Sequence, residues 1–314
     1  MESDLSALTS VADLLTFARQ QNTNKATGQA NNLFVDQQPP SIQVSLSFNE
    51  PRNTSPELLE SLLLSRPLGN LAVFNPVSID RDEPQGRQQL LNEDRSGQDL
   101  SETSFQSIEN SRLLTADLSE SELSGANITN SNLGMANLSE ADLADSRVSD
   151  SNFMRANLGE ADLNNANLET TNFSRANLSA ANLQSTNINE STFIETNLEA
   201  ADMSGSQISE SNFSAANLSQ AKLAGSDITD SNFSFANFRD ADLNNTRFSD
   251  SSLYGADFRG ADLSGADLSD SNLDAANFEG ALYDATTDLG NLNPEDLGMI
   301  NIDEMEQEEL EEMN

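Results

Sequence analysis

The chain has no cysteine, no histidine and no tryptophan, and only two of its 314 residues are lysine. Without cysteine it can form neither a disulfide nor a thiolate metal site, which leaves its redox compartment open. Without histidine it lacks the commonest general base and the commonest metal ligand. No Ser-His-Asp set, phosphate-binding loop or dinucleotide fingerprint occurs. We therefore expect no enzyme activity, no cofactor and no bound metal.

Positive charge is also scarce. The chain has 52 acidic residues against 15 basic ones, a net charge of −37. A field of this sign repels nucleic acid and anionic membranes and favours basic protein surfaces. No apolar run approaches the ~20 residues that span a bilayer, and the first residues lack the basic start and apolar run of a secretory signal. We expect a soluble protein, either cytoplasmic or part of a virion or other large assembly, without direct contact to nucleic acid or membrane.

The chain divides into three regions according to how regularly its sequence repeats: residues 1–99, 100–285 and 286–314. In the irregular first region the sequence predicts an amphipathic helix within residues 1–20 and a half-buried strand over 41–48. It also predicts a helix that is capped by Ser55 and begins at Pro56, and a polar linker over 80–99. Such proline-punctuated sequence builds little core by itself. It is either an arm or adaptor that orders on a protein partner, or a small independent domain.

The second region repeats a five-residue word. From Leu113 to Phe278 a large apolar residue occupies every fifth position, in 34 consecutive words, and the residue two places before it is always Ala, Ser or Thr. Residues two apart on an extended segment share one face, so both point inward and the remaining residues turn a corner. A larger inward residue would overpack the tight bend. The pattern predicts a solenoid whose coils bury one another's faces.

A longer period gives the size of a coil, because like side chains stack when they lie directly above one another. Phenylalanines recur at every fourth word, so four words make one square coil, and about nine coils follow. Columns of asparagine just before the central residues are predicted to hydrogen-bond along the walls. The phenylalanines that we assign to the structural core are Phe153, Phe173, Phe193, Phe213 and Phe233.

The words ANLSE, ADLAD, SGADLSD and ANFEG resemble the A(D/N)LXX repeats of the pentapeptide-repeat family, over more than half of the chain. The resemblance implies a right-handed quadrilateral β-helix, an all-β solenoid. The ending ALYDATTDLGNLNPEDLGM is similar to the C-terminal closure of cyanobacterial members. Here Asn293 would cap a short helix that begins at Pro294 and covers the open edge of the last coil.

Acidic residues form two columns along the predicted coils. Stacked carboxylates repel one another by about 1 kcal/mol per pair in water, so stability alone does not select them. The columns are either a solvated face that prevents aggregation or a docking face for a basic protein surface or for cations. The first column follows the fourth central residue of each coil and contains Asp150, Glu190, Glu210, Asp230, Asp250 and Asp270. The second precedes the third central residue and contains Asp142, Asp162, Asp202, Asp242 and Asp262.

Two functional hypotheses follow. The first is a non-enzymatic structural or interaction protein, an acidic rod joined through residues 1–99 to a protein assembly, either a multiprotein complex or a virion, in which it could oligomerise. The second comes from the resemblance, because some pentapeptide-repeat proteins act on DNA gyrase by imitating DNA. Two features depart from those members: the C-terminal ending is acidic rather than hydrophobic, and no loop interrupts residues 111–285.

Overall fold

The computed structural model describes residues 86–305, which form a parallel β-solenoid of about 11 turns. The elements predicted within residues 1–85, and the acidic residues 306–314, lie outside the described residues. Ten strands form one sheet in chain order, and two more pair in parallel near the C-terminal end. The ten strands are β1 (Gln88–Leu91), β2 (Phe105–Glu109), β3 (Asn127–Thr129), β4 (Arg147–Ser149), β5 (Asn167–Glu169), β6 (Asn187–Asn189), β7 (Gln207–Ser209), β8 (Asp227–Thr229), β9 (Arg247–Ser252) and β10 (Asp267–Asn272). The other two are β11 (Leu282–Tyr283) and β12 (Ile300–Asn301).

Each coil has four walls, one per word. We number them from residue 111, so that residues 111–115 are the first wall of their coil and residues 126–130, which include β3, are the fourth. Strand partners such as Ile128 and Val148 are four words apart, and so are wall partners such as Arg112 and Asn132. One coil therefore takes four words, as the phenylalanine period predicts.

The predicted core is observed. All five phenylalanines of the Phe153–Phe233 column are completely buried. Their successive rings stack with centroids 4.5–4.9 Å apart, a separation typical of offset aromatic pairs. The small residues two places earlier, such as Ala156 and Ala161, are buried as well. The inside of the solenoid is therefore filled by side chains along its length.

Each word ends in a corner with unusual backbone geometry. Every fifth residue from Asn110 to Gly265 has a positive φ, and most of these residues are not glycine. Left-handed backbone costs an L-residue roughly 1–2 kcal/mol. The corners therefore oppose folding at regular intervals, and the buried core and the wall hydrogen bonds have to offset them.

Asparagine ladders run along two walls, as predicted. The side-chain amide of Asn157 donates to Asn137 Oδ1 at 2.9 Å, and the same bond repeats from coil to coil until Asn237 donates to Asn217 at 2.8 Å. On the first wall the ladder joins only Asn132 to Asn172, because the next position is a threonine. Within these ladders each asparagine binds its neighbour in the adjacent coil, whereas Asn232 on the first wall donates to Ser214 Oγ instead.

A second ladder, of hydroxyl groups, was not predicted. The backbone N–H of Ser131 donates to Ser151 Oγ at 3.1 Å, and Thr171 and Ser191 make the same bond to the next coil at 3.0 and 3.1 Å. At the second wall the corresponding N–H, that of Ala136, instead donates to the Leu133 carbonyl within its own turn. The first wall therefore needs a hydroxyl acceptor from the next coil. The sequence carries this signal, because the residue that opens every first wall from 111 to 271 is Ser or Thr and never Ala.

The solenoid begins earlier than residue 100, the boundary expected from the repeat. Strand β1 pairs with β2, so residues 88–99, which we predicted to be linker, form a coil. The repeat is hidden there because Arg95 stands where later coils have leucine or phenylalanine. Its side chain is only 12% exposed and pairs with Glu93 at 2.6 Å. This coil is also shorter than a regular one. Asp94 forms its β-bridge with Arg112, whereas in a coil of four full words its partner would be Leu114. These irregular coils raise the total above the predicted nine.

The C-terminal closure contains the predicted short helix in 3-10 form, Pro294–Leu297. The Asn293 side chain accepts the Glu295 N–H at 3.4 Å, and Pro294 occupies the first turn. Strand β12 then pairs with β11, and a second 3-10 helix follows over Ile302–Glu304. The edge of the last coil is thereby partly covered, which limits pairing with other chains.

Candidate interaction surfaces

The first acidic column lies along the corner between the fourth wall and the next first wall, and we call it the acidic edge. Its members at Asp150, Glu190, Glu210, Asp230 and Asp250 have φ between 48 and 49°. The left-handed corner turns each side chain outward, and all are exposed. Asp270, the last member, is exposed as well but lies within β10. Coils lie about 4.8 Å apart, so the carboxylates form one continuous line that only Thr170 interrupts.

Most carboxylates of the acidic edge form no hydrogen bond or ion pair within the described chain. Asp150 accepts a hydrogen bond from the Thr170 hydroxyl at 3.0 Å. Within residues 86–305, no hydrogen bond or ion pair reaches the carboxylates of the other five members. Their negative charge is therefore fully available to solvent or to a partner.

The second column lies in the middle of the third wall, and the strands of the fourth wall separate it from the acidic edge. The structure thus does not bring the two columns together. Each aspartate of this column accepts the backbone N–H two residues further on at 3.0–3.1 Å, a bond that fixes the turn of its word. The aspartates that make this bond are Asp142, Asp162, Asp202, Asp242 and Asp262. These carboxylates have the structural role that asparagine has elsewhere on the walls.

Asp202 shows how strongly this wall binds a carboxylate. Burial raises its pKa, but hydrogen bonds from Ser204 and Gln184 outweigh the burial and leave the pKa below its usual value. Lys222, one coil further on, adds an ion pair at 3.9 Å. The charged form of Asp202 is therefore part of the folded wall.

Models of two repeat families match this pattern of words. The model described as "Pentapeptide repeats (8 copies)" matches residues 99–134, 136–175 and 176–214, and the model described as "Pentapeptide repeat region" matches residues 209–278. Together they span more than half of the sequence. The chain belongs to the pentapeptide-repeat family. A comparison with curated proteins gives no match to the chain.

Solved pentapeptide-repeat proteins resemble this one at low identity. HetL, involved in heterocyst differentiation regulation in the cyanobacterium Nostoc sp. strain PCC 7120, is 28% identical, with a TM-score of 0.43 over 62% of this chain and 86% of HetL. QnrB1, a plasmid-mediated fluoroquinolone resistance protein, is 17% identical, with a TM-score of 0.34 over 73% of this chain and 97% of its own. A protein from the Arabidopsis thaliana thylakoid lumen is 22% identical, with a TM-score of 0.27 over 41% and 68% of the two chains.

Several arginines of this pentapeptide-repeat protein form ion pairs with acidic residues in the described part of the chain. Arg239 and Arg259, one coil apart, both bind Asp257 at 2.7 Å, and Arg175 binds Glu195 at 2.9 Å. These are exposed or half-exposed pairs, which contribute little to stability. None of these pairs involves the acidic edge.

The walls of the pentapeptide repeat present charge and hydrogen-bonding groups. Over residues 86–305, no cluster of three acidic side chains is arranged to hold a metal ion, and no helix could span a membrane. Chemically, the acidic edge can attract and bind cationic groups that are spaced along a line.

Proposed function

We propose that this pentapeptide-repeat protein is a non-enzymatic interaction protein whose acidic edge docks a basic protein surface. The residues before the solenoid, 1–85, attach it to the larger assembly, either a multiprotein complex or a virion. The observation that supports this proposal is the contrast between the two acidic columns. The wall aspartates serve the fold, whereas the acidic edge carries five carboxylates without any partner in the described chain.

The energetics favour a partner with a line of basic residues. Neighbouring carboxylates along the acidic edge repel one another by about 1 kcal/mol per pair in water. Lysine or arginine side chains of a partner would relieve this repulsion and steer the encounter. Because the edge is exposed, salt would weaken such binding strongly, since the screening length is about 8 Å at physiological ionic strength.

The test is purification of the full-length protein from its native source at low and high salt, followed by identification of the proteins that accompany it. The edge variant carries Asp150→Asn, Glu190→Gln, Glu210→Gln, Asp230→Asn, Asp250→Asn and Asp270→Asn. The matched control removes five charges from the third wall with Asp142→Asn, Asp162→Asn, Asp202→Asn, Asp242→Asn and Asp262→Asn, because asparagine preserves the turn bond there.

We expect the edge variant to lose a basic partner that the wall variant keeps, while both remain folded. Equal retention by both variants, with lower solubility of the edge variant alone, would mean that the acidic edge only keeps the protein dispersed. Deleting residues 1–85 should release the solenoid from the assembly. A full-length protein that is free and monomeric in its native extract would contradict the attachment.

The acidic columns also favour a second candidate, imitation of DNA in the manner of some gyrase-binding members of the family. A net charge of −37 and carboxylates repeated about every 4.8 Å resemble a line of phosphates. The measurement is a supercoiling assay with purified gyrase. Inhibition or protection that the edge variant lacks would support this function, and no effect at micromolar protein would eliminate it.

A further inference from the structure

The first wall differs from the other three in charge. Between residues 111 and 270 its outward positions carry three arginines, Arg112, Arg155 and Arg175, against the single acidic residue Glu195. Over the same coils the second wall has seven acidic residues against two basic ones, the third seven against one, and the fourth nine against two. The first wall is thus the one side of these coils that does not repel an acidic ligand.

The first wall is also the apolar one. Its N-terminal half carries an apolar stripe of four side chains, of which Met135 is 40% exposed, two are half-buried and Met154 is buried. Gly134 makes room for this stripe, because a Cβ there would lie 3.2 Å from Leu114 Cδ2. Exposed apolar patches on an otherwise charged protein mark interaction sites. The apolar stripe consists of Leu114, Met135, Met154 and Ile194.

We infer that this half of the first wall binds the leucine-rich segment of residues 56–66 of the same chain. The segment reads PELLESLLLSR, and the sequence predicts a helix there that starts at Pro56. Its five leucines match the apolar stripe. Its two acidic residues, Glu57 and Glu60, match Arg155 and Arg175, which lie on consecutive coils beside the stripe.

The dimensions allow this contact. A helix of 11 residues is about 16 Å long, and the four coil steps from Leu114 to Ile194 cover roughly 19 Å. The chain between Arg66 and Gln88 can extend over about 70 Å, which is ample because β1 lies only a few coils from the stripe. Tethering also gives the segment a high local concentration, so the net negative charge of the protein does not prevent the contact.

Hydrogen exchange on the full-length protein tests the inference. An isolated helix of this length is marginal in water, so its amides are protected only if the segment is docked. We expect the amides of residues 57–65 to exchange at least about tenfold more slowly than in an unfolded chain. Met135→Asp should remove this protection and keep the solenoid folded, because aspartate accepts the left-handed corner at φ 59°.

The matched control is Phe235→Asp, at the equivalent corner in the C-terminal half of the same wall, with φ 61° and 63% exposure. It should leave the exchange of residues 57–65 unchanged. Unprotected amides in the unaltered protein, or equal effects of the two substitutions, would overturn the inference.

The absence of cysteine permits a second test that identifies the occupant. Leu62→Cys combined with Met135→Cys should form a disulfide within one chain on mild oxidation, because disulfides require Cα atoms within about 7 Å. Leu62→Cys combined with Phe235→Cys should not. A disulfide between two chains would assign the wall to a second copy and overturn the inference. These tests do not involve the acidic edge, so the inference and the proposed function can fail separately.

Discussion

At the residue scale, each corner of the solenoid imposes a conformational free-energy cost on folding, and a corner occurs every five residues. Each corner requires positive φ, yet the chain places alanine, glutamate, arginine and even phenylalanine there. Glycine would adopt this conformation without the steric penalty. Corner residues are therefore chosen for what their side chains do outside the solenoid, and the alanines among them are the simplest places to measure the cost.

Replacing Ala200 with glycine should stabilise the protein. Ala200 has φ 57° at an exposed corner, so the substitution removes a left-handed penalty of about 1–2 kcal/mol. The greater entropy of unfolded glycine offsets about 0.5–1 kcal/mol of this, which leaves a gain of up to about 1.5 kcal/mol. The control is Ala201→Gly, next in sequence but fully buried, which should destabilise the protein. Urea denaturation of both variants gives the comparison, and the same sign for both would contradict the corner assignment.

The hydroxyl ladder gives a second prediction at this scale. Ser191→Ala removes the acceptor of the buried Thr171 N–H and should cost about 1–3 kcal/mol. Ser146→Ala is the matched control, because the Ser146 hydroxyl is buried and has no hydrogen-bond partner within residues 86–305. Its removal should be neutral or stabilising. Thermal unfolding of the two variants distinguishes the roles, and equal losses would mean that the ladder contributes nothing specific.

At the element scale, a coil contacts only the coils before and after it. A substitution in one coil therefore first weakens its contacts with those two neighbours. The phenylalanine column shows this arrangement, since Phe193 stacks on Phe173 and Phe213 and on no other ring of the described residues. The strands themselves are short, three residues in most coils. Their stability comes from stacking rather than from strand length.

Phe193→Ala should destabilise the solenoid by about 3–5 kcal/mol, because it opens a cavity in a fully packed column. Phe193→Asp should unfold the solenoid, since it places an unpaired charge in a closed apolar interior. Glu190→Gln, at an exposed corner, should change stability by less than about 0.5 kcal/mol. Circular dichroism during denaturation measures all three. If Phe193→Asp were as harmless as Glu190→Gln, the inward and outward assignment would be wrong.

The regular coils could be predicted because each residue of a word has one environment. Leu113 to Phe278 keep their period, and the structure places those side chains inside. The first coil could not be predicted in this way, because Arg95 occupies an inward position and the coil is shorter than the rest. The separate roles of the acidic columns were also hidden. The sequence does not distinguish Asp162 from Asp230. Only the structure shows that the Asp162 carboxylate accepts a hydrogen bond that fixes a turn, whereas the Asp230 carboxylate accepts none within the described residues.

At the scale of the whole molecule, hydrogen-bonded aspartates make stability depend on pH. Hydrogen bonds from Ser119 and Ser269 hold the pKa values of Asp117 and Asp267 below the usual 3.8, and the pKa of Asp202 is lowered too. These groups bind protons more readily in the unfolded chain. Their stabilisation is therefore complete above about pH 4 and is lost as the pH falls below it.

We expect the urea midpoint to fall as the pH is lowered below about 4. The triple variant Asp117→Asn, Asp202→Asn and Asp267→Asn should show a flatter profile, because asparagine can keep the turn bonds without titrating. A midpoint that stays constant or rises on acidification of the unaltered protein would contradict the stabilising role of these hydrogen-bonded aspartates.

The fixed coil of four words also constrains how the gene can change in length. Duplication or loss of the codons for one whole coil changes the number of coils and leaves every column of stacked side chains continuous. Loss of a single word preserves the reading frame and the inward pattern, but turns everything beyond it by one wall. The carboxylates that follow would then continue along a different side of the solenoid, and the line of charge would be cut in two. We therefore expect the solenoid to tolerate gain or loss of a full coil of four words better than gain or loss of a single word.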